Sequence, residues 1–275
     1  MTILDSFILG LIQGISEFLP ISSSGHLSIA DKLMKSGAES PLAFNILLHV
    51  ATLAAVFAVY YKDIWEMIKA FFGMFKDLFT GKGLRLKEYT YRKLIVLLIV
   101  GTIPATVSAF LFGDIIESPA LWQIGIFLFI TAILLFVSEK LSSGKTDLEE
   151  MSYKQAIGTG CFQALGVLPG ISRSGSTIVG GLFSNLNRKT AVRFSFLLSI
   201  PAILGSLVLE VKDMFSAESS LPAVPQIIVG MITAAVSGYL SIRFLLKIVE
   251  KSKLSYFSIY CIAAGILAII LNFTL

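Results

Sequence analysis

The sequence predicts an all-α integral membrane protein built as an inverted repeat, each half a re-entrant helical hairpin plus three transmembrane helices. Three observations predict it. First, of 275 residues 55% are hydrophobic and only 15% charged, and the mean hydropathy is +0.84; a soluble domain carries roughly a quarter charged residues. Second, six apolar stretches reach the ~20 residues that a membrane-spanning helix needs. Third, two further apolar stretches are each interrupted by a polar turn, and the two turns resemble each other. The formal charge of +4, without a long basic stripe, argues against nucleic acid as a partner. Cys161 and Cys261 lie in apolar stretches with no CxxC or metal-type partner and read as packing residues. The opening MTILDSFILG has no basic n-region and is not expected to be a cleaved signal.

The elements follow in chain order. The first broken stretch, about 3–34, is interrupted by Gln13, Glu17, Pro20, Ser22, Ser23, Ser24 and His26. It reads as a short helix, a turn and a second short helix. Irregular backbone at membrane depth survives only when buried in protein or lining a wet cavity, which makes this a re-entrant hairpin. Spans follow at about 42–61, 93–113 and 119–138, with a charged loop at 62–92 between the first two. Within that loop, Ile64–Phe79 reads as an amphipathic helix at the interface. The second broken stretch, about 153–187, is interrupted by Gln163, Pro169, Gly170, Ser172, Arg173, Ser174 and Ser176, and spans at 190–211, 225–246 and 255–273 complete the chain. The whole is expected to be one membrane domain, with repeat one at about 1–138 and repeat two at about 153–275.

Basic residues set the orientation. With loop 62–92 in the cytoplasm, segments 139–154, 188–193 and 243–253 fall on the same side, and together with Lys93 these carry eighteen of the twenty-two Lys and Arg. The opposite loops carry Lys32, Lys35 and Lys212, and Arg173 lies inside the second hairpin. This asymmetry puts both termini outside.

The repeat is visible in the turns. Leu19-Pro20-Ile21-Ser22-Ser23-Ser24-Gly25-His26 matches Leu168-Pro169-Gly170-Ile171-Ser172-Arg173-Ser174-Gly175-Ser176, with Gly170 inserted. Gln13 and Gln163 precede them, and Phe44, Leu47 and Leu48 match Phe194, Leu197 and Leu198 at an offset of 150. Three spans per half is an odd number, so the second half enters the membrane inverted. The turns can then meet near the midplane, where inverted-repeat proteins build their sites.

The hairpins carry complementary chemistry. In 169–177, Gly170 and Gly175 permit tight turns, and the following helix exposes unpaired amides at its positive end, which suits a phosphate. Ser172, Ser174, Ser176 and Thr177 add hydroxyls, and Arg173 adds a planar fork matched to phosphate oxygens. A buried arginine needs an anion or an acidic partner, and Glu17 is the alternative to a bound phosphate. In the first hairpin Gln13 and Glu17 share a helix face and could offer oxygens to a divalent cation. Ser22, Ser23 and Ser24 are candidate nucleophiles, with His26 or Glu17 as the base. His49 reads as a hydrogen-bonded helix contact. These parts meet the demands of phosphoryl transfer, namely positive charge, a placed nucleophile and a proton acceptor. They also suit a transporter or flippase of a phosphorylated lipid or solute, although pure binding needs no nucleophile or base.

The two motifs, Gln13-x-x-x-Glu17-Phe18-Leu19-Pro20-Ile21-Ser22-Ser23-Ser24-Gly25-His26 and Pro169-Gly170-Ile171-Ser172-Arg173-Ser174-Gly175-Ser176-Thr177, closely resemble those of the bacterial undecaprenyl-diphosphate phosphatases linked to bacitracin resistance. The resemblance implies hydrolysis of a C55 polyprenyl diphosphate to the monophosphate carrier of cell-wall synthesis. The reaction would run at the outer face of the bacterial cell membrane with a divalent cation, Mg²⁺ or Ca²⁺. It also implies site roles. Glu17 would be metal ligand or general base, and Ser23 the first choice of nucleophile. His26 would be the alternative nucleophile or the acid/base partner. Arg173 would clamp the diphosphate, supported by Ser172, Ser174 and Thr177, with Ser22 and Gly170 in the binding turns. The family's first acidic position is Glu or Gln, and here it is Gln13, a weaker cation ligand. The expected partners are the lipid substrate and the surrounding membrane lipids, with a homodimer as an admissible assembly.

Overall fold

The structure, a computed structural model, describes residues 1–34, 42–112, 119–140, 144–216, 222–250 and 254–274. Lys35, Lys251 and Lys253, used above for orientation, lie outside them. Among the described residues the chain forms eleven helices. They are α1 (Ile3–Phe18), α2 (Ser23–Leu33), α3 (Leu42–Val59), α4 (Tyr61–Phe79), α5 (Thr90–Phe112), α6 (Leu121–Lys140), α7 (Tyr153–Leu165), α8 (Arg173–Phe183), α9 (Arg188–Ser216), α10 (Val224–Glu250) and α11 (Ser255–Thr274). No strand is present among these residues.

Local chemistry starts the corresponding helices of the two broken stretches in the same way. At α1 the Thr2 hydroxyl accepts from Asp5 N at 3.1 Å while Asp5 accepts from Thr2 N at 2.6 Å. At α7 Ser152 and Gln155 make the same reciprocal cap, at 3.4 and 2.9 Å. Such boxes satisfy helix amides that have no partner within the helix. The second helix of each hairpin is capped by a serine. Ser22 Oγ accepts from Gly25 N at 3.3 Å, and Ser172 Oγ from Gly175 N at 3.1 Å. Both hairpins therefore form where the polar turns lie in the sequence.

Five helices, α5, α6, α9, α10 and α11, are long and apolar enough to cross a membrane, and α3 makes a sixth when taken with α4. A 90° bend separates α3 from α4. Helix α4 exposes Trp65, Phe72 and Phe79 along its length. Its other side is tied down by charge: Asp63 is paired with Arg193 and accepts from Tyr91 Oη at 3.0 Å, and Asp77 accepts from Arg92 at 2.8 Å. This is the form expected of an interfacial helix. Large apolar side chains also face outward from the spans, including Phe110, Val208, Ile232, Ile259 and Phe273. Lipid rather than water is the solvent that makes such a surface stable.

Close helix pairing rests on glycine. A side chain at Gly10 would meet Gly230 O at 2.4 Å, which places α1 directly against α10. Gly160 lies the same way against Gly101 O, at 2.3 Å, joining α7 to α5, and Gly125 against Gly265 O, at 2.7 Å, joining α6 to α11. Without a hydrophobic force between helices in lipid, such backbone approach carries the packing. The first helix of each hairpin thus packs against a long apolar helix, α1 on α10 and α7 on α5. Gly160→Val is expected to destabilise by at least about 1–3 kcal/mol, because the atom it strikes is backbone. A lower unfolding midpoint in detergent checks this, and a midpoint equal to wild type would refute it.

Candidate active site

The two hairpin turns are in contact. Ser174 Oγ donates to Leu19 O at 3.2 Å, and Gly170 N donates to Ser24 Oγ at 3.3 Å. Gly170 has φ +103, a conformation open mainly to glycine, and a Cβ there would lie 2.9 Å from Ile124 O. Ser172 N donates to Thr131 Oγ1 of α6 at 3.0 Å, which fixes the second turn against the bundle.

This contact brings the charged residues together. Glu17 is in the last turn of α1 and is 6% exposed; Arg173 is the first residue of α8. Arg173 Nη2 donates to Glu17 Oε1. The second carboxylate oxygen accepts from Ser23 Oγ at 2.7 Å and from Gln13 Nε2 at 3.2 Å. His49 Nε2, from α3, stands 3.7 Å from the same oxygen, and its Nδ1 is 2.9 Å from Asn45 O. Arg173 Nη1 is buried and has no partner among the described residues. One end of the guanidinium is therefore held by Glu17 while the other is left to bond something else.

The group lies at one end of a cavity of about 590 Å³. Its polar end is lined by Glu17, Ser23, Ser24, His49, Ser172 and Arg173. Residues of α5 and α9 also line it, mostly apolar, among them Ala105, Ala109, Phe110, Ala202, Ile203 and Val208, with Thr102, Thr106 and Ser206 beside them. A charged head and an apolar slot in one cavity suit an amphiphile with an anionic head.

The family model described as "Bacitracin resistance protein BacA" matches residues 6–267. The chain belongs to the BacA family. It is 44% identical over 274 residues to the undecaprenyl-diphosphatase of Alkaliphilus metalliredigens, covering 99% of each chain. It is 44% identical over 280 residues to that of Methanosphaera stadtmanae, covering all of both. Undecaprenyl-diphosphatase 3 of Bacillus cereus is 39% identical over 276 residues, covering 100% of this chain and 99% of its own.

In this BacA protein, Gln13, Glu17, Ser23 and Arg173 come together as the sequence suggests, and Ser172 faces the same cavity. Other expected site residues do not face it. Ser174 and Thr177 are 1% and 0% exposed and bond Leu19 O and Arg173 O respectively. Ser22 caps α2, and Gly170 shapes the turn. Of these four, Ser174 and Gly170 bond across to the first hairpin, whereas Ser22 and Thr177 bond within their own helices, Thr177 also to Ser195 of α9. His26 also points elsewhere: its Nδ1 is 2.7 Å from Ser22 O, its Nε2 2.7 Å from Tyr260 Oη, and its ring stacks on Tyr260. The imidazole beside Ser23 and Glu17 belongs instead to His49. The signal for it was present, since an ionisable residue within an apolar span is functional by default.

The residues expected to meet a divalent cation are Glu17 and Gln13. Among the described residues no three His, Cys, Asp or Glu side chains form a candidate metal group. Both Glu17 oxygens accept hydrogen bonds, and Gln13 turns its amide N–H, not its oxygen, toward them.

Proposed function

We propose that the protein hydrolyses undecaprenyl diphosphate to undecaprenyl phosphate and phosphate, recycling a carrier lipid at the bacterial cell membrane. Family membership and the names of the relatives support this substrate. The observation that carries the chemistry is the Ser23–Glu17–Arg173 contact at the head of a cavity with an apolar slot. A pure transporter of such a lipid would need the arginine but not a hydroxyl donating to a carboxylate.

In this reading the free Arg173 amine takes a non-bridging oxygen of the terminal phosphate and stabilises the charge that spreads over it. Ser23 Oγ attacks the terminal phosphorus as its proton passes to Glu17. A Ser–O–P bond forms, the bridging P–O bond breaks, and the lipid monophosphate leaves with the proton. Water then hydrolyses the phosphoserine, restoring Ser23 and releasing phosphate. Of the two nucleophiles that the resemblance allows, the geometry supports Ser23, which lies within hydrogen-bond reach of its base. A divalent cation, Mg²⁺ or Ca²⁺, would supply further positive charge against the diphosphate.

The two halves read as an inverted repeat with both termini and the cavity mouth outside. The Lys and Arg distribution supports this, as does the reciprocal packing of α1 on α10 and of α7 on α5. Phosphate release from undecaprenyl diphosphate by the purified protein tests the activity. No release with any divalent cation, from folded protein, would overturn the reading. The slot between α5 and α9 is assigned to the prenyl chain. Gly205 lines it, and a Cβ there meets no atom within 4 Å. Gly205→Trp is therefore expected to fold while raising KM about tenfold for the C55 lipid, since a few buried CH₂ groups at ~0.8 kcal/mol each suffice. A short-chain prenyl diphosphate should be affected less, and equal effects on both would move the tail elsewhere.

A further inference from the structure

Gln163 lies in the last turn of α7 and is 2% exposed. The residue is among those that line the cavity holding Glu17, Ser23 and Arg173. Neither its Oε1 nor its Nε2 has a hydrogen-bond partner among the described residues, although both are buried. The other glutamines near the hairpins are paired at one end or at both. Gln155, two turns earlier on the same helix, uses both ends, donating to Thr146 Oγ1 and Ser184 O and accepting from Ser152 N. Gln13, the residue matching Gln163 in the first repeat, gives its amide N–H to Glu17 and leaves only its Oε1 without a partner among the described residues.

A buried amide with neither end satisfied destabilises the free protein, and an apolar side chain of similar size would remove the penalty. Packing alone therefore does not account for a glutamine here. A ligand that brings hydrogen-bonding groups into the cavity does. Carboxamide nitrogen donates well to a phosphate oxygen, and the amide oxygen can accept from a water that accompanies it. The neutral group adds a donor without a second positive charge beside Arg173.

We propose that Gln163 is a substrate-binding residue whose Nε2 donates to a non-bridging oxygen of the prenyl diphosphate. This rests on the hydrolase reading above and adds a contact that neither motif contains. The amide is left unsatisfied in the free protein and is completed by the substrate. Its signature is a residue that lowers stability in the free state and raises affinity in the bound state.

The test uses the full-length protein in detergent, with Gln163→Met and Gln163→Glu beside wild type. The unfolding midpoint is measured with and without farnesyl diphosphate, and KM and kcat are measured on undecaprenyl diphosphate. Gln163→Met is expected to unfold no lower than wild type without ligand, to lose most of the midpoint shift given by farnesyl diphosphate, and to raise KM ~10-fold, the loss of one hydrogen bond to a charged group. Gln163→Glu keeps the shape but sets a carboxylate against the phosphate, so its KM should rise further. It carries the test if the methionine variant does not fold. A Gln163→Met protein that unfolds lower while its KM and ligand shift stay at wild-type values would show a structural glutamine and overturn the proposal. So would a Gln163→Glu protein that binds and turns over as wild type does. A wild type that neither hydrolyses the lipid nor is stabilised by the diphosphate brings down the hydrolase reading together with this inference. Activity in wild type beside an unaffected methionine variant brings down the inference alone.

Discussion

Arg173→Ala is expected to lose hydrolysis by about two to three orders of magnitude, the cost of removing one preorganised donor from a developing charge. It is also expected to destabilise the protein. Glu17 is 6% exposed, and the guanidinium is its counter-charge. Removing one partner of such a pair typically costs about 3–5 kcal/mol, because the other charge stays buried. Lost activity could therefore reflect lost fold, and two further variants separate the effects. Arg173→Lys keeps the charge but not the fork that reaches Glu17 with one amine and the substrate with the other. It should recover part of the stability and little of the rate. The double variant Glu17→Gln with Arg173→Met removes both charges and should regain much of the unfolding midpoint while remaining inactive. Phosphate release and thermal unfolding on the same preparations decide the matter. A folded Arg173→Ala protein with near-wild-type kcat/KM would remove the arginine from the chemistry.

The second large effect is expected at Ser23. Its hydroxyl makes one bond to Glu17 in the free protein, so Ser23→Ala should shift stability by only about 1 kcal/mol. If Oγ is the nucleophile, the rate should fall by about three orders of magnitude or more, leaving the residual catalysis that binding and charge stabilisation supply. Rapid quenching of wild type with terminally labelled substrate should trap phosphate on Ser23, and the alanine variant should trap none. If Ser23→Ala keeps a tenth or more of the rate, attack belongs to water with Glu17 as its base. Glu17→Gln, which preserves shape and removes the proton acceptor, should be inactive under either route.

Several features were legible in the residues alone. Apolar length fixed the spans. The polar turns fixed both hairpins, because a serine two residues past a proline, or past an inserted glycine, caps the next helix by a bond that needs no tertiary partner. Glu17 and Arg173 stood out because each is a charge in an otherwise apolar stretch, where an unpaired ion is too costly to keep. Their mutual contact was already one of two alternatives, and the structure adds that the arginine has a second amine to spare.

Other features were not legible. Sequence offers the serines and threonine of the second turn as equivalent donors, yet Ser174 is consumed on Leu19 O and Thr177 on its own helix and Ser195 of α9, while Ser172 reaches the cavity. A hydroxyl bonds whichever acceptor the local backbone presents, and rotamer direction is set by the packed neighbour. His26 and His49 exchange their expected places for the same reason. The ring of His26 is drawn to Ser22 O and Tyr260, and only the packing of α3 beside α1 brings His49 within 3.7 Å of Glu17.

By itself the sequence determined the class, the hairpins, the repeat in their turns and the charged pair at the centre, because each depends on polarity measured along a single segment. Tertiary structure alone decided which helices lie together, which hydroxyls reach the cavity and which histidine faces the carboxylate. Lipid solvates every apolar face of a span equally, so hydrophobicity cannot choose a partner for it. That choice falls to backbone approach at glycines such as Gly10, Gly125 and Gly160, whose consequence appears only when two helices meet.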